Sequence, residues 1–336
     1  MLFLAKPTEC LAHPVDILLT HRPTTKGGYE VSPTQSALPR PAEDVSSPTQ
    51  LNFLSLDDPN KPRTTTYLLQ YLNSPVLKLS RTSLNSRYTR LNVRLALGAG
   101  TQVVESLLDF RLFLAKPIYQ VSASAVDIGT SLQHENVLGI IDIVSHENQI
   151  MIITEFCTRD LLSVAQYARP TTAQILDIMQ QLASGMHYLH LRGIAHRDLK
   201  LENIYMAGEV PKIAGLGCAL VAASDRNPSS SVGKFGSKPY LAPEVHDKVP
   251  YNAYLADLWA LGIILVGLCT GRFPWTCTQS DPNFARFQKS PRSYLQGLGL
   301  SRDKLLLALL LLVPDPAHRA DSATLLRALG LPDPSI

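Results

Sequence analysis

His196-Arg197-Asp198-Leu199-Lys200-Leu201-Glu202-Asn203 is the stretch from which the rest of the chain is read. A carboxylate, an ammonium and an amide stand in it at offsets of two and five residues. Phosphoryl transfer asks for such a set. It takes a carboxylate to orient an attacking hydroxyl (Asp198), a cation beside the moving phosphate (Lys200) and an oxygen ligand for a metal (Asn203). A short polar run after a helix also reads as a solvated loop, so the neighbouring segments decide between the two.

Immediately upstream, Thr171 and Thr172 give an N-cap signal, and Ile175, Ile178, Leu182, Met186 and Leu189 recur at spacings of three or four. This predicts an amphipathic helix with one core-facing stripe, which delivers the chain to the polar stretch. Farther upstream, Leu138–Val144 and Gln149–Cys157 read as two buried strands around a polar turn. Leu91 to Leu97 alternates like a strand and runs into Gly98-Ala99-Gly100-Thr101. Phe113-Leu114-Ala115-Lys116 follows, closed by Pro117, which removes a strand hydrogen bond.

Composition sets outer limits. The chain has 336 residues, 18% of them charged, and a formal net charge of +3 without a basic block. That gives no signal for nucleic acid or a membrane surface. Five cysteines form no CxxC pair, so reduced thiols are expected rather than a disulfide framework or a zinc site. The opening Met1-Leu2-Phe3-Leu4-Ala5 is cut off by Lys6 and Pro7, too short for a signal-peptide core. The apolar runs Leu258–Cys269 and Leu305–Val313 are too short to span a bilayer. A cytoplasmic protein is the expectation. Residues 1–88 hold ten of the 24 prolines and no sustained period, so they are expected to form a disordered extension. The hexamer Leu-Phe-Leu-Ala-Lys-Pro occurs at 2–7 and again at 112–117, with no physical account from sequence.

His196–Asn203 resembles the catalytic loop H-R-D-L-x-x-x-N of the eukaryotic-type protein kinases. Other segments resemble the same family: Gly236-Ser237-Lys238-Pro239-Tyr240-Leu241-Ala242-Pro243-Glu244, the helix around Asp257-Leu258-Trp259, and Asp315-Pro316-Ala317-His318-Arg319. The likeness covers roughly residues 90 to 332 and is greatest to fungal Ser/Thr kinases of the halotolerance and nitrogen-permease-reactivator type. It implies an α+β, two-lobed fold over 89–332, with a small β-rich lobe over about 89–157 and a large helical lobe over about 158–332.

The resemblance also implies roles. Asp198 would be the base, with Lys200 at the phosphate and Asn203 on a metal. Gly98 and Gly100 would cover the phosphates of ATP, and Lys116 would hold its α- and β-phosphates. Glu155 and Cys157 would face adenine with Thr154 as gatekeeper, and Asp160 would meet the ribose. His196 would be a buried brace, and Arg319 would pair with Glu244. Ser229, Ser230 and Ser231 become exposed phosphorylation candidates able to pair with Arg197. Read without the family, the glycines are a hairpin turn and Lys116 a solvated strand end.

Four positions depart from the pattern. Val103 stands at the third loop glycine, and Ala125 falls where a helix glutamate would pair with Lys116. Asp127 lies two residues on and points about 200° around the helix. Gly215 and Leu216 stand where K-I-x-D-F-G carries its magnesium-binding aspartate and its phenylalanine. A hydrogen cannot coordinate a cation, so magnesium is left with Asn203 alone. Two readings follow: a kinase homologue impaired in transfer that signals by binding partner proteins, or an active Ser/Thr kinase acting on protein hydroxyls with ATP.

Overall fold

The structure is a computed structural model and describes residues 81–91, 100–117, 123–146, 149–222, 230–246 and 249–332. The expected N-terminal extension up to residue 80, Gly98 and Ser229 lie outside the described residues.

Short alternating runs build the first lobe. Strands β1 (Arg81–Ser83), β2 (Tyr88–Leu91), β3 (Gln102–Ser106) and β4 (Leu112–Pro117) are followed by helix α1 (Ala123–Ser131), then β5 (Ile140–His146) and β6 (Gln149–Glu155). The six strands form one antiparallel sheet in the order β1-β2-β3-β4-β6-β5. Side chains alternate across it. From β4, Phe113 and Ala115 enter a cluster with Leu84, Tyr88, Met151 and Ile153, while Leu112 and Leu114 enter a second cluster that reaches the other lobe.

Two expectations change here. Among the described residues the first strand, β1, already starts at Arg81, upstream of the boundary expected at 88/89, and Leu84 and Tyr88 supply apolar surface to a core that composition alone does not reveal. Of the strand expected over Leu91–Leu97, Leu91 belongs to β2 and the rest lies outside the described residues. β5 is an edge strand and not a buried one, with Ile141 and Ile143 exposed.

The second lobe starts at β7 (Arg159–Asp160) and a helical turn at Leu161–Ser163, and its first long helix is α2 (Thr172–Leu191). Thr171 caps α2 by accepting from the Gln174 amide, and Gln174 returns a bond to the Thr171 amide. The whole stripe Ile175, Ile178, Leu182, Met186 and Leu189 is buried. Next come β8 (Ile194–Ala195), β9 (Ile204–Ala207), β10 (Val210–Ile213) and β11 (Leu220–Val221), pairing as β10-β9-β7 and β11-β8.

Helices α3 (Ala253–Thr270), α4 (Pro282–Lys289), α5 (Pro291–Gly297), α6 (Arg302–Leu311) and α7 (Ser322–Ala328) complete the lobe. α3 is apolar on every side, and 13 of its 18 residues are buried. It is long and apolar enough to cross a membrane by composition, yet it is the core helix around which the lobe packs. Beside it, Arg319 reaches Glu244 through Nη1 at 2.6 Å and Nη2 at 3.0 Å, and Nη1 also donates to the Leu255 carbonyl at 2.8 Å. That bidentate pair is the one the sequence implied.

Candidate active site

Chain direction at the catalytic loop is set from below by one buried carboxylate. Asp257, on α3 and 1% exposed, accepts the amides of His196 and Arg197 at 2.8 Å each, and His190 Nε2 at 3.0 Å. A carboxylate inside an all-apolar helix must find donors, and the two backbone N–H groups are those donors. They hold Arg197 at φ 63°, a left-handed conformation unusual for a non-glycine residue. Sequence reading noted Asp257 only as part of a core helix. A lone acid in so apolar a stretch was the available signal.

His196 is fully buried and braces the loop, as expected. Its Nε2 donates to the Ala214 carbonyl at 2.7 Å, which leaves Nδ1 as acceptor for the Asp198 amide at 3.2 Å. Above it the functional side chains converge. Ser237 Oγ donates to Asp198 Oδ1 at 3.0 Å, and Lys200 Nζ lies 3.0 Å from Asp198 Oδ2 and 2.9 Å from Ser237 Oγ. Asn203 Nδ2 donates to the Asp198 carbonyl at 2.8 Å and to its Oδ2 at 3.3 Å. Asp198, Lys200 and Asn203 are therefore one hydrogen-bonded set, with a serine hydroxyl seated between carboxylate and ammonium. Chemically this set can orient a hydroxyl and keep a cation beside it.

The metal side differs. Gly215 sits at φ 77°, and a Cβ placed there would lie 2.5 Å from Asn203 Cγ and 2.7 Å from Asn203 Oδ1. The Asn203 carboxamide thus fills the space in which a side chain at 215 would stand. No cluster of three or more His, Cys, Asp or Glu residues suited to a metal occurs among the described residues. One neutral amide oxygen is a poor partner for magnesium, which takes several hard oxygen ligands. The donor set does not fit that ion.

The remaining expected residues lie on the first-lobe sheet, its helix and the segment that leaves it. Lys116, at the end of β4, has its ammonium pulled below the ordinary lysine range by burial, and no carboxylate pairs with it among the described residues. Ala125 is buried on α1, and Asp127 faces solvent as the helical angle required. Gly100 turns at φ 78° just before β3, and Val103 is buried within that strand. Thr154 is buried in β6. Glu155 is engaged by Lys212 at 2.6 Å, an inter-lobe ion pair the sequence reading missed.

Cys157 is fully buried, its thiol pushed up to about 12 by burial and then by the Glu155 charge. Asp160 caps the next helical turn, accepting from the Ser163 amide at 2.8 Å and the Ser163 hydroxyl at 2.6 Å. Burial holds its carboxyl above the ordinary range. It is therefore a cap whose Oδ1 is already committed.

The phosphorylation candidates need correction. Ser231 is 3% exposed and backbone-paired with Tyr251, and the Arg197 guanidinium lies 3.8 Å above the Phe235 ring while its Nε donates to the Cys218 carbonyl at 2.7 Å. Only Ser230 of the described pair is exposed.

The model of the family described as "Protein kinase domain" matches residues 118–325, beginning just after β4. The nitrogen permease reactivator protein of Saccharomyces cerevisiae is 30% identical over 208 residues, covering 57% of this chain and 26% of that protein. Serine/threonine-protein kinase PRR2 of the same yeast is 30% identical over 253 residues, 69% of this chain and 36% of that protein. Serine/threonine-protein kinase oca2 of Schizosaccharomyces pombe is 34% identical over 164 residues, 48% of this chain and 25% of that protein. The matched part spans about a quarter to a third of these relatives' lengths.

Proposed function

The chain belongs to the protein kinase domain family, with eukaryotic Ser/Thr kinases as its relatives, and from that premise we propose a homologue impaired in phosphoryl transfer that signals by binding partner proteins in the cytoplasm. One observation carries the reading: Gly215 stands where the family places a metal-binding aspartate, and Asn203 occupies the space such a side chain would need.

Losing one preorganised electrostatic contact costs about 10²–10³ in turnover, and a kinase ordinarily turns over at ~1–100 s⁻¹. Among the described residues no carboxylate pairs with the first-lobe lysine, and Ala125 stands in the glutamate position. The test is phosphate transfer from labelled ATP and magnesium to a generic protein substrate by the full chain. Turnover at least 10²-fold below the ordinary range is expected. Turnover within that range would sink the impaired reading.

The second reading, an active Ser/Thr kinase using ATP on protein hydroxyls, is favoured by a different observation. Asp198 and Lys200 already hold the Ser237 hydroxyl at 3.0 and 2.9 Å, the contacts an acceptor hydroxyl would make. If this reading holds, Asp198→Asn abolishes the transfer that the full chain shows.

A further inference from the structure

The cleft between the first-lobe sheet and β9 is lined by side chains that already bury one another. Leu91, Val103 and Leu114 from the sheet are 3%, 2% and 2% exposed, and they share one apolar cluster with Cys157 at 0%, at the lobe boundary, and Ala214 at 5%, beyond it. Tyr205, from β9, packs against the same cluster. The ring is only partly buried, and its phenol is pushed up to about 12, first by burial and then by Asp160 and Cys157. Leu114 lies two residues before Lys116 in β4, and so projects from the same face of the strand as that desolvated lysine.

Other contacts fix the lobes in this relation. Lys212 pairs with Glu155 at 2.6 Å. The Ile213 amide donates to the Asn136 carbonyl and the Leu138 amide to the Ile213 carbonyl, each at 2.8 Å.

We infer that Leu114 and Tyr205 fill the base side of the cleft, so that the chain takes up no adenine base and keeps its two lobes together as a ligand-independent unit. Admitting a flat aromatic ring would mean separating Leu91, Val103, Leu114, Cys157 and Ala214, each at most 5% exposed, from one another and from the partly buried Tyr205 that packs against them, at the cost of their mutual packing. Swinging the lobes apart instead would break the Lys212–Glu155 pair and both backbone bonds. The inference rests on reading the cleft as kinase-type, and it deepens that reading: the loss lies on the base side as well as the metal side.

Adenosine is the probe, because it carries no phosphate and calls on no metal ligand. For the full chain without metal, ~5 mM adenosine is expected to leave both the melting temperature and amide exchange at 155–158 unchanged, since only a ligand bound to the native state shifts them. The double variant Leu114→Ala/Tyr205→Leu is expected to gain an upward shift of about 2–4 °C. A shift or hinge protection in the unaltered chain would overturn the inference, as would a folded double variant that stays silent. If that variant does not fold, hinge exchange in the unaltered chain decides alone. Adenosine binding combined with feeble phosphate transfer would reject the filled cleft and leave the metal-side reading standing.

Discussion

At residue 215 what matters is a missing side chain and the neighbour that has taken its place. Returning a carboxylate there is not a simple repair. The backbone stands at φ 77°, and the new Cβ would fall 2.5 Å from Asn203 Cγ, an atom tied down by the bond from Nδ2 to Asp198. Gly215→Ala should therefore cost about 1–3 kcal/mol in urea unfolding, from left-handed strain and the collision together. Asn203→Ala in the same chain should recover part of that, with a coupling of ~0.5–3 kcal/mol. A neutral Gly215→Ala would show that the loop yields freely.

Lys116 gives a second test. Its folded-state ionisation lies below the ordinary 10.5, and burial is the cause. Between the lowered value and the ordinary one the unfolded chain holds more protons, so stability rises with pH across that window. Lys116→Met should flatten the rise and raise stability near neutral pH by about 1 kcal/mol, a gain of ~2–4 °C for a domain of this size. A fall in melting temperature would mean that the ammonium has a stabilising partner after all.

At the scale of elements, α3 anchors the catalytic loop and the end of the lobe at once. Asp257→Ala leaves two buried backbone amides and a histidine without their acceptor, a loss of about 3–5 kcal/mol in thermal or urea unfolding. A cost under ~1 kcal/mol would mean that water or a neighbour replaces the carboxylate. What was legible in the sequence follows the same division. The spacing of Asp198, Lys200 and Asn203, the capped stripe of α2 and the Glu244–Arg319 pair are written in local order or in residue types with few alternatives. The edge position of β5, the burial of Ser231, the use of Asp160 as a cap and the grip of Asp257 depend on which distant segment arrives alongside. No window of sequence contains that information. Gly215 was visible as a substitution, but its occupation by Asn203 was not.

At the scale of the whole molecule, the question is where the folded unit begins. Composition puts the change at residue 88, where the proline-rich segment ends. The sheet puts it earlier: β1 pairs with β2 through Arg81–Ser83, and Leu84 is 1% exposed. Tyr88 stacks edge-on against Phe113 at 5.9 Å and donates its hydroxyl to Asp142 at 3.1 Å on the edge strand, so it ties the two sides of the sheet together. A fragment starting at residue 81 keeps all of this. One starting at 89 loses a buried leucine, a buried tyrosine and a strand pairing. Leucine or aromatic truncation alone costs about 2–5 kcal/mol. The 89–336 fragment should therefore unfold at distinctly lower urea than 81–336, with a smaller slope because less surface is buried. Equal midpoints would mean that the first strand adds nothing and that the compositional boundary is the physical one. A lower midpoint for 89–336 would make residues 81–88 part of the first lobe's core, and the relation between that lobe and its cleft would then depend on them.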